Sequence, residues 1–131
     1  MASNEFPYKK YGGAYFPTVP VKLSRLGKEI DIGGLIDSGA SYCVFHAELG
    51  EALGLPIGRS APTYVDTVSE KVAVHMHKIR LQVLGEPFEC EAAFVKNMGT
   101  SFNLLGRVGF FERHGITFKE NEKKVVLDEN E

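Results

Sequence analysis

Gly34-Leu35-Ile36-Asp37-Ser38-Gly39-Ala40-Ser41 is the stretch on which the reading of this chain turns. An apolar strand end, Leu35-Ile36, runs directly into a carboxylate, which a hydroxyl residue and two small residues follow. That order places a charge at the edge of a core, in a tight loop. An Asp can open such a loop by hydrogen-bonding its own backbone, so an isolated Asp-Ser-Gly reads as a structural turn. Whether Asp37 does more depends on what surrounds it.

Upstream, Val19, Val21 and Leu23 alternate with Pro20, Lys22 and Ser24, the period of a half-buried strand. Arg25-Leu26-Gly27-Lys28 supplies a turn, and Glu29 to Ile36 returns as a second strand, so an antiparallel hairpin delivers Asp37. Residues 1–16 hold Phe6, Tyr8, Tyr11, Tyr15 and Phe16 around Pro7 and Gly12-Gly13 without a clear period. This reads as an arm that packs on the body, joins an intersubunit sheet or stays partly disordered.

Downstream, Tyr42 to Phe45 is a short apolar piece, and residues 46–55 place Ala47, Leu49, Ala52 and Leu53 on one side. Glu48 and Glu51 fall on the wet side, so the segment predicts a short helix stopped by Gly54 and Pro56. From Thr63 to Val95 the pattern is β-rich, with Asp66-Thr67-Val68-Ser69-Glu70-Lys71 as the polar tip of a hairpin and Gly85-Glu86-Pro87 as a turn. A loop at residues 97–100, a buried run from Phe102 to Arg107, a short helix over 108–114 and a terminal strand pair at 116–118 and 124–127 complete the chain. The sum is about seven short strands and two short helices, a mostly β, barrel-like fold. The domain is placed at residues 17–127, with an arm at 1–16 and a tail at 128–131.

Composition narrows the function classes. A chain of 131 residues is one ordinary domain, and a net charge of -2 offers no field to hold a nucleic-acid backbone or an anionic membrane. No apolar run approaches a membrane span, and the first residues lack the pattern of a secretory signal, so the expected location is cytoplasmic. Cys43 and Cys90 are far apart in sequence and read as small buried hydrophobes in a reducing compartment. His75-Met76-His77 puts two imidazoles on one strand face without a third ligand at a matching spacing, so a solvated face is expected there rather than a metal site.

A second segment changes the weight of the first. Asn103-Leu104-Leu105-Gly106-Arg107 ends another apolar strand just before a predicted helix. Together, Leu35-Ile36-Asp37-Ser38-Gly39-Ala40 and Leu104-Leu105-Gly106-Arg107 make the chain resemble the retropepsin-like aspartic proteases, the single-lobe relatives of pepsin that include retroviral proteases. The resemblance implies a single-lobe acid-protease barrel with its active site at a twofold dimer axis, and Asp37 as the catalytic residue. Ser38, Gly39 and Ala40 would complete the active-site loop, with Ser38 bonding across the axis and the Gly39 N–H reaching the carboxylate. Asp66, Thr67, Val68 and Ser69 correspond in order to the tip of a substrate-covering flap, although no Gly lies between Gly58 and Gly85 where retroviral flaps are glycine-rich. Leu105, Gly106 and Arg107 would support the loop. Retroviral relatives often carry an Asp where Ser41 stands here, pairing with the arginine matched by Arg107, so Arg107 is expected to bond elsewhere.

The chemistry agrees with that resemblance and adds a requirement. Hydrolysing a peptide without metal or covalent intermediate needs two carboxylates sharing one proton, one to activate water and one to polarise the scissile carbonyl. This chain has one Asp-Ser-Gly, so a second copy must come from another subunit. The expectation is a homodimeric aspartic endopeptidase acting on polypeptide without a cofactor or metal. The alternative is a peptide-binding or dimerisation module of the same fold that does not turn over.

Overall fold

The structure is a computed structural model that describes residues 4–66, 69–98 and 102–129. Two long strands, β4 (Thr18–Arg25) and β5 (Lys28–Ile36), form the expected hairpin, with Val19 facing Gly34 and Arg25 facing Lys28 across it. The turn is Leu26-Gly27, both at positive φ, the geometry that a two-residue hairpin loop demands. Before this hairpin stand three short strands, β1 (Glu5–Pro7), β2 (Lys9–Tyr11) and β3 (Ala14–Phe16). The arm of the sequence reading therefore has regular structure in its own chain.

After the Asp37 loop come β6 (Cys43–His46) and the helix α1 (Ala47–Ala52), which ends as expected at Gly54 with φ +83°. A 3-10 turn at Ile57–Arg59 leads to β7 (Thr63–Asp66), β8 (Lys71–Gln82) and β9 (Phe88–Val95). Then follow β10 (Asn103–Leu105), the four-residue helix α2 (Phe110–Arg113), β11 (His114–Lys119) and β12 (Lys124–Glu129). β12 includes Asp128 and Glu129, two of the four residues assigned to the tail, while residues 130 and 131 lie outside the described set.

Seven strands form one sheet in the order β4-β5-β10-β6-β9-β8-β7, and β4 also pairs with β8 through Leu23 and Leu81, closing it into a barrel. One face of this sheet holds the main core. Val19, Leu23, Ile36, Phe45, Phe94 and Leu105 are all buried there, and Phe110 of α2 and Leu53 after α1 join the same cluster. The other face carries a smaller apolar cluster of Val74, Ala93 and Val95, against which Val44, Val72, Met76 and Met98 pack.

The register explains the second cluster. Leu35, Leu104, Val44, Ala93 and Met76 are neighbours across successive strands, so they form one row on one face. β8 extends past this row, and its first residues pair with β7 from Thr63↔Val74 to Asp66↔Lys71. That hairpin projects over the second face. A separate sheet, β1-β12-β11, is built from the two ends of the same chain, with Phe6 opposite Val125. Among the described residues no helix is long and apolar enough to cross a membrane.

Candidate active site

Asp37 leaves β5 at the point where the chain must turn, and backbone hydrogen bonds hold it from both sides. Its N–H donates to the Leu105 carbonyl at 3.0 Å, and its carbonyl accepts from the Ala40 N–H at 3.1 Å. The Gly39 N–H donates to Oδ1 of the Asp37 carboxylate at 2.8 Å, the only hydrogen bond to that carboxylate among the described residues. The side chain is half-buried, while Ser38 and Gly39 are exposed. The loop is thus an Asx-type turn that also presents a carboxylate to the surface.

The segment 103–108 clamps this loop from beneath. β10 runs parallel to β5 and antiparallel to β6, so it lies between the strand entering the Asp37 loop and the strand leaving it. Beyond its end, the Arg107 N–H donates to the Ala40 carbonyl at 2.9 Å and the Val108 N–H to the Ser41 carbonyl at 2.8 Å. Gly106 sits against the backbone of this loop, where an added Cβ would overlap the Tyr42 carbonyl oxygen. Only glycine allows that approach. The Gly106 N–H points at Cys43 Sγ, 3.4 Å away, and the Asn103 side-chain oxygen accepts from the His46 N–H at 3.1 Å.

Arg107 departs from the expectation that it bonds elsewhere. Its Nη2 donates to the Ser41 hydroxyl at 3.4 Å, so Ser41 is still its partner, through a neutral acceptor on the exposed surface. The shorter side chain replaces an ion pair with one long hydrogen bond.

A groove opens beside the loop. One cavity of about 300 Å³ starts at Gly39, Ala40, Ser41 and Tyr42 and is roofed by Val65 and Asp66 of β7. A second, of about 280 Å³, continues along Val72, Val95, Met98 and Leu104, and both share Val44, Val65 and Val74. Asp66 is exposed and ion-paired with Lys71 at 3.3 Å, and Ser69 is exposed beyond it. Thr67 and Val68 lie outside the described residues. The sequence reading found the loop and the hairpin but not the lining residues Tyr42, Val44, Met76 and Ala93. Their signal was the strand alternation that puts Val72, Val74 and Met76 on the face opposite Ile79 and Leu81.

The two histidines correct another expectation. His75 is buried rather than solvated, and Ser60 Oγ lies 2.9 Å from His75 Nδ1 and 3.2 Å from His77 Nε2. The same hydroxyl reaches the Ile57 carbonyl at 3.1 Å. When its one proton goes to that carbonyl, both imidazoles must be its donors. Cys43 and Cys90 are buried and free, and the fold brings them together beside Gly109. Their contact, with burial, pushes the Cys90 thiol well above its usual range. Among the described residues no three His, Cys, Asp or Glu side chains are grouped to hold a metal ion. Asp31 lines a different hollow, with Pro20, Lys22 and Gln82.

Residues 19–107, which include both the Asp37 loop and the Gly106-Arg107 clamp, match the sequence profile of an aspartyl protease family. The chain belongs to that family. The aspartyl protease fold is the retropepsin-like single lobe. A retropepsin-like aspartic protease from Rickettsia conorii superposes with a TM-score of 0.67 at 16% identity, covering 93% of this chain and 97% of that one. The EIAV protease, in complex with an inhibitor, superposes with a TM-score of 0.54 at 18% identity, covering 76% of this chain and 88% of that one. No curated protein sequence matches this aspartyl protease chain.

Proposed function

We propose that the protein is a homodimeric aspartic endopeptidase in which Asp37 and its twofold mate form the catalytic pair. The observation that carries this reading is the Asp37 carboxylate, held by the Gly39 N–H on an otherwise backbone-bonded loop, at the mouth of an apolar groove under a projecting hairpin. An isologous dimer places two copies of one loop at an axis without further machinery. Two carboxylates that close share a proton, because both cannot ionise cheaply, and the pair titrates as a unit. The ionised member takes a proton from water as the water attacks the scissile carbonyl. The protonated member donates its hydrogen bond to the carbonyl oxygen, and the leaving amine is protonated as the C–N bond breaks.

Substrate would lie as an extended polypeptide along the groove. Val44, Val65, Val74 and Met76 favour apolar side chains beside the scissile bond, and β7–β8 covers them. Ser38 is assigned a hydrogen bond to its mate beneath the pair. Asp66, Thr67, Val68 and Ser69 are assigned to the covering tip, and Leu105, Gly106 and Arg107 to support of the loop. No metal or cofactor enters this chemistry, and two buried free thiols suit a reducing, cytoplasmic setting.

The test incubates the protein and its Asp37→Asn variant with a mixed peptide library from about pH 4 to 7, the range set by a shared-proton pair, and reads products by mass spectrometry. Cuts made only by the unmutated protein support the reading. A folded dimer without Asp37-dependent cuts sinks it in favour of a peptide-binding module.

A further inference from the structure

We infer that the β2–β3 hairpin is the arm by which one copy of this chain grips a second copy. The inference rests on the proposed function in one respect, that Asp37 needs its twofold mate.

β2 and β3 make a two-stranded sheet that pairs with no other strand among the described residues. Its turn is Gly12-Gly13, with φ +56° and +86°, which closes Tyr11 onto Ala14 in the two-residue loop typical of a hairpin. Every residue of the two strands except Phe16 is exposed. Such a ribbon of three-residue strands is marginal alone in water and leaves unpaired backbone edges, so its shape implies a cover.

Its own subunit covers one face. Tyr11 and Phe16 share that face and sit on Phe102, with ring centroids 5.2 and 5.0 Å away. The opposite face carries the cross-strand pair Lys10↔Tyr15, with Lys10 Nζ 5.7 Å from the Tyr15 ring centroid and Tyr15 49% exposed. A pre-ordered, outward-facing tyrosine on a clamped ribbon is the residue type enriched at interface centres, and the Lys10 stem beside it suits the polar rim.

Position selects the occupant. The hairpin is held on one side by Tyr8, which is buried and whose N–H donates to the Lys123 carbonyl at 2.8 Å. On the other side the Pro17 carbonyl accepts from the Ile36 N–H at 3.0 Å and Thr18 pairs with Leu35. The arm is thus rooted beside the residue that immediately precedes Asp37. If Asp37 meets its mate at an axis, a structure rooted there faces the partner subunit. The chain ends pair with each other in β1-β12-β11, and the hairpin stands apart from that sheet. It also lies outside residues 19–107, which match the family profile.

The experiment uses the full chain with Tyr15→Glu and the conservative control Tyr15→Phe. Glu at this position faces Lys10 across the ladder, so the hairpin itself is kept. Sedimentation equilibrium gives the dimer dissociation constant, and peptide cleavage is followed above and below it. We expect Tyr15→Glu to raise that constant at least about ten-fold, with Tyr15→Phe unchanged and cleavage by Tyr15→Glu recovering at high protein concentration. A Tyr15→Glu dimer as tight as the unmutated one overturns the inference, as does a tight dimer in which only KM rises, which would make the hairpin a wall of the substrate groove. A protein that stays monomeric at about 100 µM overturns it as well. Asp37→Asn, run in parallel, separates the two readings: dimers that Tyr15→Glu splits but that never cut peptide retain the arm and reject the peptidase.

Discussion

Asp37 owes its position to backbone groups, and an asparagine can use all of them. The Gly39 N–H needs one side-chain oxygen at its 2.8 Å distance, and the amide supplies it. Asp37→Asn should therefore melt within a few degrees of the parent while losing at least about 10³-fold in peptide cleavage, the scale of a general acid–base contribution. Gly106→Ala should behave oppositely. Its Cβ must displace the Tyr42 carbonyl, a backbone atom that cannot rotate aside, so a loss of about 3 kcal/mol in urea unfolding is expected, with cleavage falling alongside. Arg107→Ala removes one exposed hydrogen bond of 3.4 Å and should cost less than about 1 kcal/mol by the same measurement. At this scale the Asp37-Ser38-Gly39 turn was legible from local backbone chemistry, whereas Gly106 was singled out only through the family resemblance. The Ser41–Arg107 bond was not legible, since nothing in sequence says that a shortened acceptor still comes within reach.

The elements were legible where one face of a strand stays buried along its length. β4 and β5 fit that condition, and both the hairpin and its Leu26-Gly27 turn were read correctly. β8 does not. Its even-numbered residues Val72, Val74 and Met76 face the groove, and its odd-numbered residues His75, His77, Ile79 and Leu81 face the core, so the apolar face changes side along its twelve residues. The same parity would have placed His75 inside, had it been counted from Ile79 rather than from the polar neighbours. β2 and β3 were missed because three-residue strands give no period, although Gly12-Gly13 is itself a hairpin signal. The projecting β7 has four exposed residues and one neighbouring strand, whereas β9 is paired on both sides. Hydrogen exchange should then show Thr63–Asp66 amides opening at least about a hundred-fold more readily than those of Phe88–Val95. Equal protection would mean that the hairpin is too rigid to admit a peptide beneath it.

At the scale of the whole molecule, closing the β4–β8 seam puts the histidines between two structural demands. A barrel was expected from the sequence but its closing strands were not named, because Leu23 and Leu81 meet through a pairing that no local pattern announces. That pairing is also what brings the β4 end near β8. Burial first, then the positive fields of His75 and Arg25, hold the His77 imidazole below its ordinary 6.5. Arg25 is fixed there by donating to the Leu53 carbonyl at 3.2 Å. A base held low in the folded state takes up protons less readily than in the unfolded chain, so His77 supports folding fully above about pH 6.5 and withdraws that support as pH falls through its lowered value. The proposed Asp37 pair has the opposite preference, because it needs one proton shared between two carboxylates. Activity should accordingly rise into mild acid, while His77 withdraws part of its support for the fold over the same range. Thermal melts from about pH 7.5 down to 4.5 test this. His77→Gln keeps a donor for Ser60 Oγ but no titrating ring, so its melting temperature should fall less steeply with acid than the parent's. Identical slopes for His77→Gln and parent would remove His77 from the acid dependence of folding.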